Sequence, residues 1–176
     1  MVIDRATTVR GAIAGAVAAG VWAAQQPADK TVFGVAYDDT ELLGKAITRG
    51  RAWPVVGLAM HVANGAAVGA AYAVVAPRMP VPSWSRGPLV ALSEHLATWP
   101  LTVAVDHVHP ARHDFPKLST SWRAFAQATW RHLVFGVVLG ELERRLNPPP
   151  DPELPSYEHV VSSNGHGRLE HVGTSG

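Results

Sequence analysis

The sequence predicts an all-α fold, specifically a four-helix transmembrane bundle, on three observations. Charge is scarce: of 176 residues, 16% are Asp, Glu, Lys or Arg and 47% are hydrophobic, against a usual charged share of about 25%. The charges that exist leave long apolar runs between them. One helical motif, His-x3-Gly-x3-Gly, occurs twice, each time inside such a run.

The first run, Gly11 to Ala24, has no polar side chain. Begun near Thr7, with Arg10 snorkelling to the headgroups, it gives a helix over about 7–26, and a bilayer crossing takes roughly 17–25 residues. The alternative for this run is a cleaved signal peptide with Arg5 and Arg10 as its basic region. In the linker that follows, Asp38-Asp39-Thr40-Glu41 precedes an apolar stretch, Leu42 to Ile47. Acidic residues in a first turn mark a helix start, so a short amphipathic helix lying at the interface is expected over about 39–48.

Ala52 to Ala76 carries only His61, Asn64 and the Tyr72 hydroxyl, and forms the second crossing, 52–76. After the proline-rich turn Pro77 to Gly87, the third crossing runs over about 88–105, interrupted by Glu94 and His95. The fourth, 121–146, crosses despite Arg131 and His132. Residues 1–146 are thus one transmembrane domain. Pro148, Pro149 and Pro150 stop the last helix, and 147–176 lacks a packable face. That tail is expected to be disordered, with no role for His159, His166 or His171. Mean hydropathy is only +0.07, because Ala and Gly supply much of the apolar content and the tail is polar. A soluble bundle with Ala-rich core helices is the competing reading.

The repeated motif has a physical meaning. His61, Gly65 and Gly69 lie on one helical face, as do His132, Gly136 and Gly140. Arg10-Gly11 and Arg86-Gly87 open the segments before them, so two helical hairpins of common design, parallel in the membrane, are expected. Lipid gives helices no hydrophobic reason to associate; they meet through small residues and polar contacts. Gly11, Gly15, Gly65, Gly69, Gly136 and Gly140 are therefore the expected packing glycines.

Composition also excludes. With no cysteine, the chain has no disulfide framework, thiolate zinc site, iron–sulfur cluster or Cys nucleophile. A formal net charge of +1 argues against nucleic acid as a partner. No phosphate-binding loop, Ser/His/Asp arrangement or HExxH motif stands out, so no catalytic residues and no cofactor are expected.

Ionisable groups inside a membrane are expensive and stand as functional candidates by default. Five qualify: His61, Glu94, His95, Arg131 and His132. Glu94 and Arg131 are expected to pair between the third and fourth helices, relieving both desolvation costs. Arg123, Gln127 and Arg131, spaced by four, form a polar stripe that must face the interior, a cavity or another subunit. His61 and His132 could serve as paired haem ligands. Asp106, His107, His109, His113 and Asp114 could together hold a divalent metal, although Pro110 interrupts a helix there.

Basic residues collect at both ends. Arg5, Arg10, Arg78, Arg86, Arg144 and Arg145 lie tight against the helix ends on one side, and Lys30, Lys45, Arg49, Arg51, Arg112, Lys117 and Arg123 lie on the other. The tighter group favours cytoplasmic termini.

Gly11 to Trp22, His61 to Tyr72 and His132 to Gly140, about a quarter of the chain, resemble the small YagU-like inner-membrane proteins of bacteria. The resemblance implies a bacterial cytoplasmic-membrane protein; Glu94-His95 and Asp106 to Asp114 fall outside it. The expected role is that of a non-enzymatic accessory or assembly subunit, or a homo-oligomer, with the lipid bilayer and other membrane subunits as partners. The alternatives are a proton- or ion-coupled carrier using Glu94, His95 and Arg131, and a haem- or metal-binding redox protein.

Overall fold

The computed structural model describes residues 4–148; apart from Asn147 and Pro148, the tail expected to be disordered lies outside them. Among the described residues the regular structure is all helical: α1 Arg5–Phe33, α2 Asp39–Ile47, α3 Trp53–Val75, α4 Ser83–Thr98, α5 Thr102–Val108 and α6 Trp122–Leu146.

Local chemistry sets the boundaries. The Asp4 carboxylate accepts from the Ala6 and Thr7 backbone N–H groups and starts α1. Gly34, at φ 66°, closes it in the left-handed conformation that favours glycine, its N–H donating to the Lys30 carbonyl. The first helix was expected to end near 26. It continues through Pro27 to Phe33, and this extension brings Asp29 into the core. Asp38 caps α2, accepting from Thr40 and Glu41. The third crossing, expected to be continuous over 88–105, begins earlier at Ser83 and is broken: α4 stops at Thr98, Trp99–Leu101 forms a 3-10 turn, and α5 resumes at Thr102. Pro100 is the cause, since it removes a helical N–H and clashes with the preceding turn.

The chain runs up and down. α1 packs on α3 and on α6, α6 packs on α4, and α2 lies across the start of α3. Glycines make the two hairpin seams. A Cβ on Gly15 would fall 2.0 Å from the Gly65 carbonyl oxygen, and one on Gly69 would fall 2.2 Å from that of Gly11. In the second hairpin a Cβ on Gly87 would lie 2.1 Å from the Gly136 oxygen, with Gly140 also close. The glycine after the arginine, Gly11 or Gly87, thus meets a glycine of the His-x3-Gly-x3-Gly strip in each hairpin. A third glycine contact was not foreseen: Gly44 on α2 and Gly57 on α3 let those helices touch backbone to backbone.

Size is distributed inside out. The core is rich in small residues, among them Ala14, Ala18, Ala19, Ala73, Ala76 and Ala91, whereas Val9, Ile13, Val17 and Val21 line the outer face of α1. Val55 and Leu58 on α3, Leu89 and Leu96 on α4, and Val137 on α6 are likewise exposed. Two helices, Arg5–Phe33 and Trp53–Arg78, are long and apolar enough to cross a membrane.

The seam geometry yields a paired test. Gly15→Ala drives a methyl into the backbone of α3 and is expected to cost about 1–3 kcal/mol, as overpacking does. Gly20→Ala on the same helix meets nothing within 4 Å and should raise stability by about 0.5–1 kcal/mol, since Ala is the better helix former. Unfolding followed by circular dichroism separates the two.

Candidate functional site

Arg131 is completely buried, and four of its five N–H donors are engaged. Nε and Nη2 donate to the two Asp29 carboxylate oxygens, each at 2.6 Å, Nη1 donates to Asp39 Oδ2 at 2.7 Å, and Nη2 also donates to the Tyr37 carbonyl at 2.9 Å. The Tyr37 ring lies 5.0 Å from the guanidinium, within cation–π range. Asp29 receives two further hydrogen bonds, from Gln127 Nε2 at 2.7 Å and Gln25 Nε2 at 2.9 Å. Asp39 accepts from the Trp22 indole at 2.9 Å and from the Tyr37 hydroxyl. Gln26 Oε1 in turn accepts from the Asp39 backbone N–H. One guanidinium therefore joins α1, α2 and α6.

This corrects the expected Glu94–Arg131 pair. Consecutive residues on a helix point about 100° apart: Arg131 turns to α1 and α2, and its neighbour His132 turns to α4. There His132 Nε2 lies 2.9 Å from Glu94 Oε2. His132 Nδ1 lies 2.7 Å from the Ala128 carbonyl, which can only accept, so Nδ1 carries a hydrogen. Glu94 is not buried as expected; its side chain is 42% exposed. His95 is buried. Its Nε2 lies 3.0 Å from the Thr129 hydroxyl, whose own hydrogen goes to the Phe125 carbonyl, so His95 is the donor. Of the stripe, Gln127 and Arg131 are inside, while Arg123 is exposed over the Trp122 ring.

His61 and His132 both rest on Trp22, with ring centroids 5.3 Å and 4.6 Å away. Those separations are those of edge-on ring packing. His61 Nε2 is buried with no well-formed hydrogen bond among the described residues.

The 106–114 segment does not gather around one point. Asp106 accepts from the Leu118 and Ser119 backbone N–H groups and the Ser119 hydroxyl. Burial pushes its carboxyl up, but these donors outweigh burial and hold it below the ordinary value. Asp114 accepts from Lys45 at 2.7 Å and Arg49 at 3.4 Å. The hydrogen bonds from Asp114 and Glu41 raise the Lys45 ammonium above its usual value. His109 uses both nitrogens: Nε2 donates to the Leu42 carbonyl and Nδ1 accepts from Ala111 N–H. His107 Nδ1 donates to the Val103 carbonyl, and His113 is exposed. Among the described residues no group of three or more His, Asp and Glu side chains is arranged to hold a metal.

Asp39, His61, Glu94, His95 and His132 border a cavity of about 340 Å³. α1 and α6 close against each other, but α3 and α4 do not pack together to the same degree, and the space between them is the cavity. His61 and Asn64 of α3 form one wall, and Glu94, His95 and Trp99 of α4 the other. Trp22, His132 and Phe135 make the floor, and Asp39 and Leu42 of α2 close one end.

Asp29 was missed because Pro27 reads as a stop. The signal was present: Gly11, Gly15, Ala18, Trp22, Gln26 and Asp29 continue one helical face, and Gly34 supplies a stop seven residues beyond Pro27. No protein-family model, curated protein or solved structure matches the chain.

The network yields a double-mutant test. Arg131→Met leaves Asp29 charged and buried, and is expected to cost about 3–5 kcal/mol, the usual penalty for removing one partner of a buried ion pair. Adding Asp29→Leu should recover a large part of that loss, whereas adding Glu94→Gln should recover none. Thermal unfolding of the single and double variants reads the coupling.

Proposed function

We propose that the chain is a small multi-pass protein of the bacterial inner membrane, with α1, α3, α4 and α6 forming a four-helix transmembrane bundle of two parallel hairpins. It works as a non-catalytic accessory or assembly subunit, or as a homo-oligomer. One observation carries the reading: large apolar side chains face outward on all four long helices, while Ala and Gly line the seams where the helices meet. In water that outer surface is a liability. In lipid it is a solvated face, and small residues are what helix contacts there require.

Two further observations support it. The indoles of Trp84 and Trp122 are 79% and 73% exposed, at opposite ends of the bundle. Trp122 to Gly140 on α6 spans roughly 27 Å at about 1.5 Å per residue, and Gly87, one turn from Trp84, sits beside Gly140. That spacing suits interfacial anchors on a hydrocarbon layer about 30 Å thick. The charge on α6 is no obstacle, because Arg131 is fully neutralised inside. α4 alone is short for a crossing, but the turn and α5 prolong its path to Val108.

The YagU-like resemblance and the arginines crowding the end that holds both Asp4 and Asn147 favour the inner membrane with cytoplasmic termini. The expected outcome on fractionation is a chain that pellets with membranes, resists alkaline carbonate and is released by detergent. Cross-linking in the membrane should then give a dimer or a mixed adduct. Recovery in the aqueous fraction overturns the membrane reading, and a partnerless monomer overturns the subunit reading.

The Glu94–His132 pair on the cavity wall favours a second reading, a proton-coupled carrier. Arg131 is fixed by its two carboxylates and is not a mobile member of it; Glu94 and His95 are the groups that line the cavity. In proteoliposomes a pH gradient should drive flux that Glu94→Gln abolishes, and unaltered flux in that variant rejects the carrier.

A further inference from the structure

We propose that the cavity between α3 and α4 binds a lipophilic organic cation, an amine or quaternary ammonium with an aromatic or branched apolar body, using Glu94 as its counter-ion. The inference rests on the membrane-embedded bundle and adds a ligand class to it.

The charge balance of the wall sets the sign of the ligand. Asp39 and Glu94 line the cavity, together with His61, His95 and His132, and no lysine or arginine does. Asp39 is already answered by Arg131, Trp22 and Tyr37. Glu94 is answered on one oxygen only: Oε2 meets His132, and Oε1 has no partner among the described residues. A carboxylate oxygen beside an apolar cavity is costly without a positive or hydrogen-donating neighbour of its own. An anion is repelled there, and a neutral hydrocarbon leaves the carboxylate as it was.

The rest of the wall suits a cation with an apolar body. Trp22, Trp99 and Phe135 present aromatic rings, whose faces attract cations, more so where water is excluded. Leu42, Leu101 and Val105 supply apolar surface. The volume, about 340 Å³, falls at the lower end of the roughly 300–1,000 Å³ of small-molecule sites. The way in lies between α3 and α4, so a membrane-dissolved ligand arrives sideways.

The test uses the full chain in an uncharged maltoside detergent, after carbonate extraction has established where it partitions, so failure of the membrane reading registers before any ligand is added. Calorimetric titration compares benzyltrimethylammonium with neopentylbenzene, the same shape without the charge. The cation is expected to bind at least tenfold more tightly than the hydrocarbon. Glu94→Gln should remove the preference, and Glu94→Asp should keep part of it. Equal affinity for the two probes, or an undiminished preference in Glu94→Gln, overturns the proposal. The probe comparison in the unaltered chain decides even if the variants do not fold.

Discussion

The structure depends on one guanidinium that cannot reach water. Burying Arg131 is expensive unless its charge is met, and the chain arranges this with two carboxylates from different elements, Asp29 and Asp39. The requirement fixes how far α1 must extend, where α2 must begin and which face of α6 turns inward. It also explains the company of Tyr37, Trp22 and Gln127, which complete the hydrogen bonding of those carboxylates. Remove the ion and Asp39 loses its charged partner, leaving α2 held by its glycine contact with α3, the Lys45 tether to Asp114, the Lys30–Asp38 pair and the His109 bond to the Leu42 carbonyl.

The two long seams of the bundle then differ in kind. α1 and α6 are locked by that network at one end and joined at the other, where Arg10 donates to Asn147. α3 and α4 have no equivalent lock. A chain built from two similar hairpins thus has one shut side and one open side, and the asymmetry originates in residues outside the repeated motif. The open side collects the remaining ionisable groups, His61, Glu94, His95 and His132, around Trp22 and Trp99.

How much of this was legible in the residues depended on the range of the interaction. The all-helical class, the start of α2 at Asp38-Asp39 and the close-packing glycines follow from composition, capping chemistry and four-residue spacing, all local. The partner of Arg131 is not local. Glu94 was the attractive choice because it shares an apolar run with a neighbouring helix; the true partner sits about a hundred residues away on a stretch that Pro27 disguised as a loop. The histidines of 106–114 misled in the opposite way. Close in sequence, they are separated by the turn at Pro110, and each is used up by a backbone group or left facing outward. Gly44 escaped notice because a lone glycine in a short helix gives no periodic signal, whereas Gly57 had one, since it continues the four-residue spacing of His61, Gly65 and Gly69.

The inside-out distribution of side-chain size has a consequence for how such a chain can change over generations. In a water-soluble domain the interior tolerates shrinkage poorly and the periphery accepts almost anything. Here the helix seams have nothing left to lose, since Gly15, Gly65, Gly69 and Gly87 are already minimal, and any drift at those sites can only add bulk. Divergence should therefore concentrate in the outward valines, isoleucines and leucines, which exchange freely among themselves. Distant relatives would then be recognised by a sparse skeleton of glycines, one arginine and two aspartates, with little overall identity between them.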